Sequence, residues 1–99
     1  MKQFFVIAAG KNPMLAFKFA QKSMSLEGDG SIASKVEFKL FNQYTEYQSA
    51  KDALSAAKQL VNDESFTFWT APAGCVKIKP LVKRDGSIVN QYLFFGTSI

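Results

Sequence analysis

The feature that most constrains the fold is a strongly amphipathic segment at residues 49–62, SAKDALSAAKQLVN. At 100° per residue its apolar side chains fall on one arc of about 160°, and its polar side chains take the opposite side. At the start of the segment, the Ser49 hydroxyl can accept a hydrogen bond from a free first-turn N–H, and Asp52 lies near the positive end of the helix dipole. The apolar arc is mostly alanine. The pattern therefore predicts a helix that packs closely on a sheet.

Composition favours one α+β domain over residues 1–99 and limits its chemistry. The chain is 47% apolar, so it can bury a core without disulfides or metals. It has one cysteine, Cys75, and no histidine, which excludes an intramolecular disulfide and a His/Cys metal cluster. The commonest general base at neutral pH is also missing. We expect a non-enzymatic cytoplasmic protein without cofactor or metal, in which Cys75 is a small packed side chain.

Two interpretations compete for residues 14–26. Asn12 and Pro13 form a good helix opening, and the residues that follow favour helices. The alternative is a long hairpin around Asp29-Gly30, a dipeptide suited to a two-residue turn. In the hairpin register, Lys22 pairs with Glu37 on one face, and the opposite face collects six large apolar side chains. These are Leu15, Phe17, Phe19, Val36, Phe38 and Leu40. This sorting favours the hairpin.

The remaining segments are predicted to be strands. Lys2–Ala9 is a nearly continuous apolar run, residues 65–70 (SFTFWT) have strand composition, and residues 75–84 and 87–96 form a hairpin around Asp85-Gly86. Pro80 cannot donate to a ladder and predicts an edge strand or a bulge. The predicted order is β-β-β-α-β-β-β, a largely antiparallel sheet of two hairpin units with one helix on one face.

One helix is too narrow for such a sheet. A helix about 10 Å wide covers two or three strands spaced about 4.8 Å apart, so apolar sheet surface would remain open. Sheet curvature, a sandwich of two half-sheets or a second chain can close this surface, and we expect a homodimer. No stretch approaches the roughly 20 apolar residues of a membrane-spanning helix, and we expect no membrane association.

The polar face of the second hairpin is the best candidate for a functional surface. With Arg84 opposite Ser87, Lys77 pairs with Phe94 and Lys79 with Tyr92. Exposed rings stack on bases while ammonium groups follow the phosphates, so this pattern favours binding of single-stranded nucleic acid. The net charge of +4 suits a polyanion. The predicted nucleic-acid-binding residues are Lys77, Lys79, Lys83, Tyr92, Phe94, Lys35 and Lys39.

A second function fits the same residues. Lysines keep strand surfaces soluble, and Tyr92 and Phe94 would then fill a second core or a dimer contact. The protein would be a protein-interaction, accessory or inhibitor domain that docks through an uncovered sheet face or an edge strand. The first hypothesis predicts oligonucleotide binding that falls steeply with salt. The second predicts no such binding and a mass that depends on concentration.

Overall fold

The computed structural model describes residues 2–26, 32–41, 46–63 and 71–98 and shows an α+β fold. In these ranges the elements are β1 (Lys2–Ala9), α1 (Pro13–Leu26), β2 (Phe38–Leu40), β3 (Glu46–Tyr47), α2 (Ala50–Leu60), β4 (Ala73–Val82) and β5 (Ile88–Ser98). The five strands form a mixed sheet of order β1-β5-β4-β2, with β3 also beside β4. Strand β5 is antiparallel to β1 and β4, whereas β2 and β3 are parallel to β4.

Residues 13–26 are a helix, so the predicted first hairpin is wrong, and with it the β-β-β-α-β-β-β order and the Lys22–Glu37 strand pair. The Asn12 side-chain oxygen accepts from the Leu15 N–H at 2.9 Å and caps α1. The helix thus begins at Asn12 and Pro13, as the alternative to the hairpin predicted. The buried face of α1 consists of Ala16, Phe17 and Ala20. The proposed Asp29-Gly30 turn lies outside the described residues, as does the predicted strand at 65–70.

Helix α2 confirms the amphipathic prediction. Its N-cap Ser49 accepts from the Asp52 N–H at 3.2 Å through the hydroxyl. The small side chains of Ala53 and Ala57 are completely buried, so the helix backbone lies close to the sheet. In the described part of the chain, no helix is long and apolar enough to cross a membrane.

The two helices cover opposite faces of the sheet. Tyr92 and Phe94 belong to the cluster under α1, whereas the alternate residues Leu93 and Phe95 belong to the cluster under α2. The connection β1–α1–β2 moves across the sheet in one direction, and β3–α2–β4 moves back. Two right-handed crossovers in opposite directions place their helices on opposite faces. The expectation of one helix on one face is therefore wrong.

The β4–β5 hairpin confirms the second predicted hairpin, with a different register. Gly86 has φ of +86° and donates to the Lys83 carbonyl, so the turn has three residues instead of two. A register shift between Ile78 and Leu81 confirms the irregularity predicted at Pro80. Each irregularity adds one residue. Val76 thus pairs with Leu93 instead of Phe95, on the predicted face.

Candidate interaction surface

The two aromatic residues of the predicted nucleic-acid surface lie in the core. Tyr92 is 4% exposed and Phe94 is fully buried. The ring centroid of Phe94 lies 5.3 Å from that of Phe17 on α1 and 5.7 Å from that of Phe38 on β2. Burial also raises the pKa of Tyr92. The expectation that these rings are exposed for base stacking is wrong, because α1 occupies the face where bases would stack.

The lysines predicted for this surface are dispersed. The Lys77 ammonium is 3.7 Å from a Glu46 carboxylate oxygen on β3. Lys35 is buried, donates from Nζ to the Ala71 carbonyl at 2.8 Å, and has a pKa lowered by desolvation. Lys39 is exposed, with Nζ 5.2 Å from the Phe41 ring centroid. Among the predicted basic residues, only Lys79 and Lys83 share an exposed segment.

That segment is the distal part of the β4–β5 hairpin, residues 79–90, which we call the arm. Strand β1 ends where the Gly10 N–H donates to the Asn90 carbonyl, and β3 pairs with β4 only as far as Ile78. Past these points, no described strand flanks either side of the hairpin. A two-stranded ribbon without a packed face is only marginally stable by itself in water.

The arm exposes aliphatic side chains on both of its faces. Leu81 is 58% exposed, Val82 71% and Ile88 67%. Leu81 pairs with Val89, and Val82 pairs with Ile88 on the opposite face of the ribbon. A cleft at the base continues this surface and is lined by Ala9, Gly10, Lys11, Ile88, Val89 and Asn90. Exposed apolar surface of this kind is typical of interaction sites.

Positive charge surrounds these aliphatic residues. Lys79, Lys83 and Arg84 are exposed on the arm, and Asp85 is its one acidic residue. The Asp85 carboxylate accepts from the Ser87 hydroxyl at 2.6 Å and from the Ser87 N–H at 2.9 Å, and these bonds lower its pKa. Asp85 thus fixes the turn, and the remaining charge of the arm is basic.

The structure shows no site for metal or thiol chemistry in its described residues. No group of three His, Cys, Asp or Glu side chains in those ranges could hold a metal ion. Cys75 is buried under α1, which confirms that it is a packed side chain.

Cys75 is expected to be unreactive in the folded protein. Desolvation raises the pKa of its thiol to about 12. Since the thiolate is the nucleophile, we expect DTNB at pH 8 to modify the native protein at least about 1,000-fold more slowly than the urea-unfolded chain. Stopped-flow absorbance measures both rates. Similar native and unfolded rates would show that Cys75 is accessible.

Comparison with known proteins adds no identification: no family model, no curated protein and no solved structure matches this chain.

Sequence reasoning missed the arm because of the two-residue register. That register placed Val82 opposite Val89 on the face shared with Ile78, and Ile88 opposite Lys83 on the polar face. The available signal was Pro80, since a strand that becomes irregular there can continue past its neighbours.

Proposed function

We propose that this protein is a small non-enzymatic binding domain that docks a protein partner through the arm. The observation that supports the proposal is the exposure of Leu81, Val82 and Ile88 on a ribbon that projects from the sheet. Full burial of such side chains contributes roughly 1.5–3 kcal/mol each. Both sheet faces carry helices, and among the described residues the arm extends beyond this cover with aliphatic side chains exposed on both of its faces.

The partner's chemistry follows from the composition of the arm. Aliphatic side chains on both faces of the ribbon fit an apolar groove that contacts both faces. Lys79, Lys83 and Arg84 favour carboxylates at the border of that groove, where opposite charges accelerate association and select the partner. We therefore propose an acidic protein with an apolar groove.

The burial of Tyr92 and Phe94 favours a protein over single-stranded nucleic acid. Sequence-tolerant binding of single strands depends on rings that stack on bases. The arm contains no aromatic residue, and its exposed side chains include three aliphatic and three cationic ones. Nucleic-acid binding stays a prediction, and the same variants separate it from protein docking.

The experiment starts by identifying the partner. A photoreactive benzophenone side chain at position 82 should crosslink the partner in cells that express the protein. The same group at position 36 should not. Val36 is 97% exposed and lies in the described segment before β2, away from the arm. The partner, once identified by mass spectrometry and purified, is titrated with Val82→Lys, Ile88→Lys and the matched control Val36→Lys.

We expect the two arm variants to weaken partner binding at least about tenfold, because each places a charge in an apolar contact. Val36→Lys should change the affinity less than about twofold, and all three should retain stability within about 0.5 kcal/mol. Equal effects of the arm and control variants would contradict the proposal.

Nucleic acid as the partner is tested by titrating the protein into labelled poly-dT and into a labelled duplex. The anisotropy of the label measures binding at low and at moderate salt. An added lysine strengthens binding to phosphates, so the sign of the effect separates the two classes. If Val82→Lys tightens a salt-sensitive oligonucleotide complex, the arm is a nucleic-acid surface, and the protein-docking proposal is wrong.

A further inference from the structure

Strand β1 lies at one end of the sheet, and no described strand flanks its outer edge. In the ranges 2–26, 32–41, 46–63 and 71–98, β1 pairs only with β5. Gly10 and Asn90 form a hydrogen-bonded pair, and such pairs recur at every second residue of an antiparallel ladder. The backbone groups of Phe4, Val6 and Ala8 therefore point toward β5. Those of the alternate residues point outward; these are Gln3, Phe5, Ile7 and Ala9.

The two edges of the sheet differ in how well they are protected against pairing with another strand. At the β4 side, the edge strands β2 and β3 have only three and two residues, and Lys39 and Glu46 lie on them. Short strands and charges are the usual protection against edge pairing. Strand β1 has eight residues, with neither proline nor a charged residue after Lys2. Its long apolar edge can accept another strand.

Helix α1 exposes an apolar stripe on the same side of the molecule. Leu15, Phe19 and Leu26 lie within about 40° of one another around the helix and are 47%, 60% and 81% exposed. Gln21 lies on the opposite side of α1. Its side-chain amide donates to the carbonyls of Ile32 and Lys35, in the segment that leads into β2. The stripe therefore lies on the outer surface of α1, toward the β1 edge and away from β2.

We propose that a second copy of this chain occupies this edge. Antiparallel pairing of β1 with its mate, about a two-fold axis perpendicular to the sheet, joins the two sheets into one. The same axis places both α1 helices side by side on one face. Helix α1 lies over β1 and β5, since its residues contact Gly10 and the Phe94 ring. With strands about 4.8 Å apart, the two helix axes are then roughly 10 Å apart, a normal packing distance.

One register uses every outward backbone group. In this register the two-fold axis passes midway between the two Val6 residues. Phe5 then pairs with Ile7 of the mate and Gln3 with Ala9 of the mate, and each pair exchanges two hydrogen bonds. In this register Lys2 lies opposite Gly10, so the lysines are at the ends and the centre of the interface is uncharged. A surface that is self-complementary in this way is what a two-fold dimer requires.

The exposed apolar area is sufficient for a specific contact. The exposed parts of the α1 stripe and Ile7 sum to roughly 500 Å² per chain, taking about 200 Å² for a complete side chain. Two copies together can bury up to about 1,000 Å² of side chain, apart from the strand backbone. The stripe contributes on the α1 face of the joined sheet, and Ile7 contributes on the face that it shares with Phe5. Specific interfaces begin near this size.

Sedimentation equilibrium of the full chain, from about 1 to 500 µM, tests the dimer. We expect the mass to rise from the 11.0 kDa of one chain to twice that value. Ile7→Lys and Phe19→Lys should each raise the dissociation constant at least about tenfold. Each variant places one lysine from each copy in the interface, where the two positive charges repel each other or lose their contact with water. The exposed control Val36→Lys should leave it within about twofold. A mass of one chain throughout the range would overturn the proposal.

A crosslink tests the register. In the proposed dimer, the two Val6 residues form a non-hydrogen-bonded pair with Cα atoms about 4.5 Å apart, within disulfide range. The two Ile7 residues are offset and too far apart. We expect Val6→Cys to form a disulfide-linked dimer under oxidised glutathione at least about tenfold faster than Ile7→Cys. Cys75 is buried and does not compete. A dimer that forms but shows no such preference would overturn this interface while leaving the arm proposal intact.

Discussion

Replacement of Phe94 by alanine is expected to lower the free energy of unfolding by about 3–5 kcal/mol. Phe94 is fully buried, and its ring packs against the rings of Phe17 and Phe38 between α1 and the sheet. Truncation removes the ring from this cluster and leaves a cavity that the surrounding strands can fill only partly. Urea unfolding followed by far-UV circular dichroism measures the change.

Phe19→Ala is the matched control. It makes the same substitution on a ring that is 60% exposed, on the outer surface of α1. At protein concentrations low enough to keep the chain monomeric, we expect it to cost less than about 1 kcal/mol. Similar losses for the two variants would mean that Phe94 is not a core residue. The interpretation of Tyr92 and Phe94 as a binding face would then return.

Gly74→Ala is expected to destabilise the fold by about 1–3 kcal/mol, although it adds only a methyl group. Gly74 lies opposite Phe95 on β5, and a Cβ atom built at this position overlaps the Phe95 ring. The ring is buried under α2 and packs against Phe41, so it cannot move without disturbing its neighbours. Urea unfolding again gives the change in free energy.

A double-mutant cycle with Phe95→Leu identifies the cause. The smaller side chain leaves room for the Cβ atom, so the double variant should be more stable than the sum of the single losses predicts, by about 0.5–2 kcal/mol. Additive losses would show that Gly74 is required for a reason other than the space that Phe95 occupies.

The elements that sequence predicted correctly have one dominant local signal. In α2 the apolar arc, the Ser49 cap and the position of Asp52 near the positive end of the helix dipole all indicate the same helix. In the β4–β5 hairpin the faces were correct although the register was wrong by two residues. The Gly86 turn and the Pro80 irregularity each add one residue, and a shift of two residues returns every side chain near the core to its face.

Helix α1 could not be chosen from sequence because its apolar residues fit two periods. Leu15, Phe17 and Phe19 alternate as in a strand, whereas Ala16, Phe17 and Ala20 share the buried side of a helix. The ambiguity comes from Leu15 and Phe19, which the monomer leaves exposed. Residues that obscured the helical period are thus those that we assign to the interface between two copies.

The error in the candidate site follows from the error in α1. When residues 14–26 are taken as a strand, nothing covers Tyr92 and Phe94, and the lysines beside them resemble a nucleic-acid platform. As a helix, the same residues cover that face. The uncovered surfaces of the described chain are then the arm and the β1 edge.

Amide hydrogen exchange resolved by residue gives the most direct test that the β1 edge is open in the monomer and pairs with a second copy. In β1, we expect the N–H groups of Phe4, Val6 and Ala8 to exchange slowly at every concentration, because they donate to β5. Those of Phe5 and Ile7 should exchange rapidly in the dilute monomer and become protected as the protein concentration rises. Fast exchange of Phe5 and Ile7 up to millimolar concentration, or equal protection of all five groups in the monomer, would contradict an open β1 edge that pairs with a second copy.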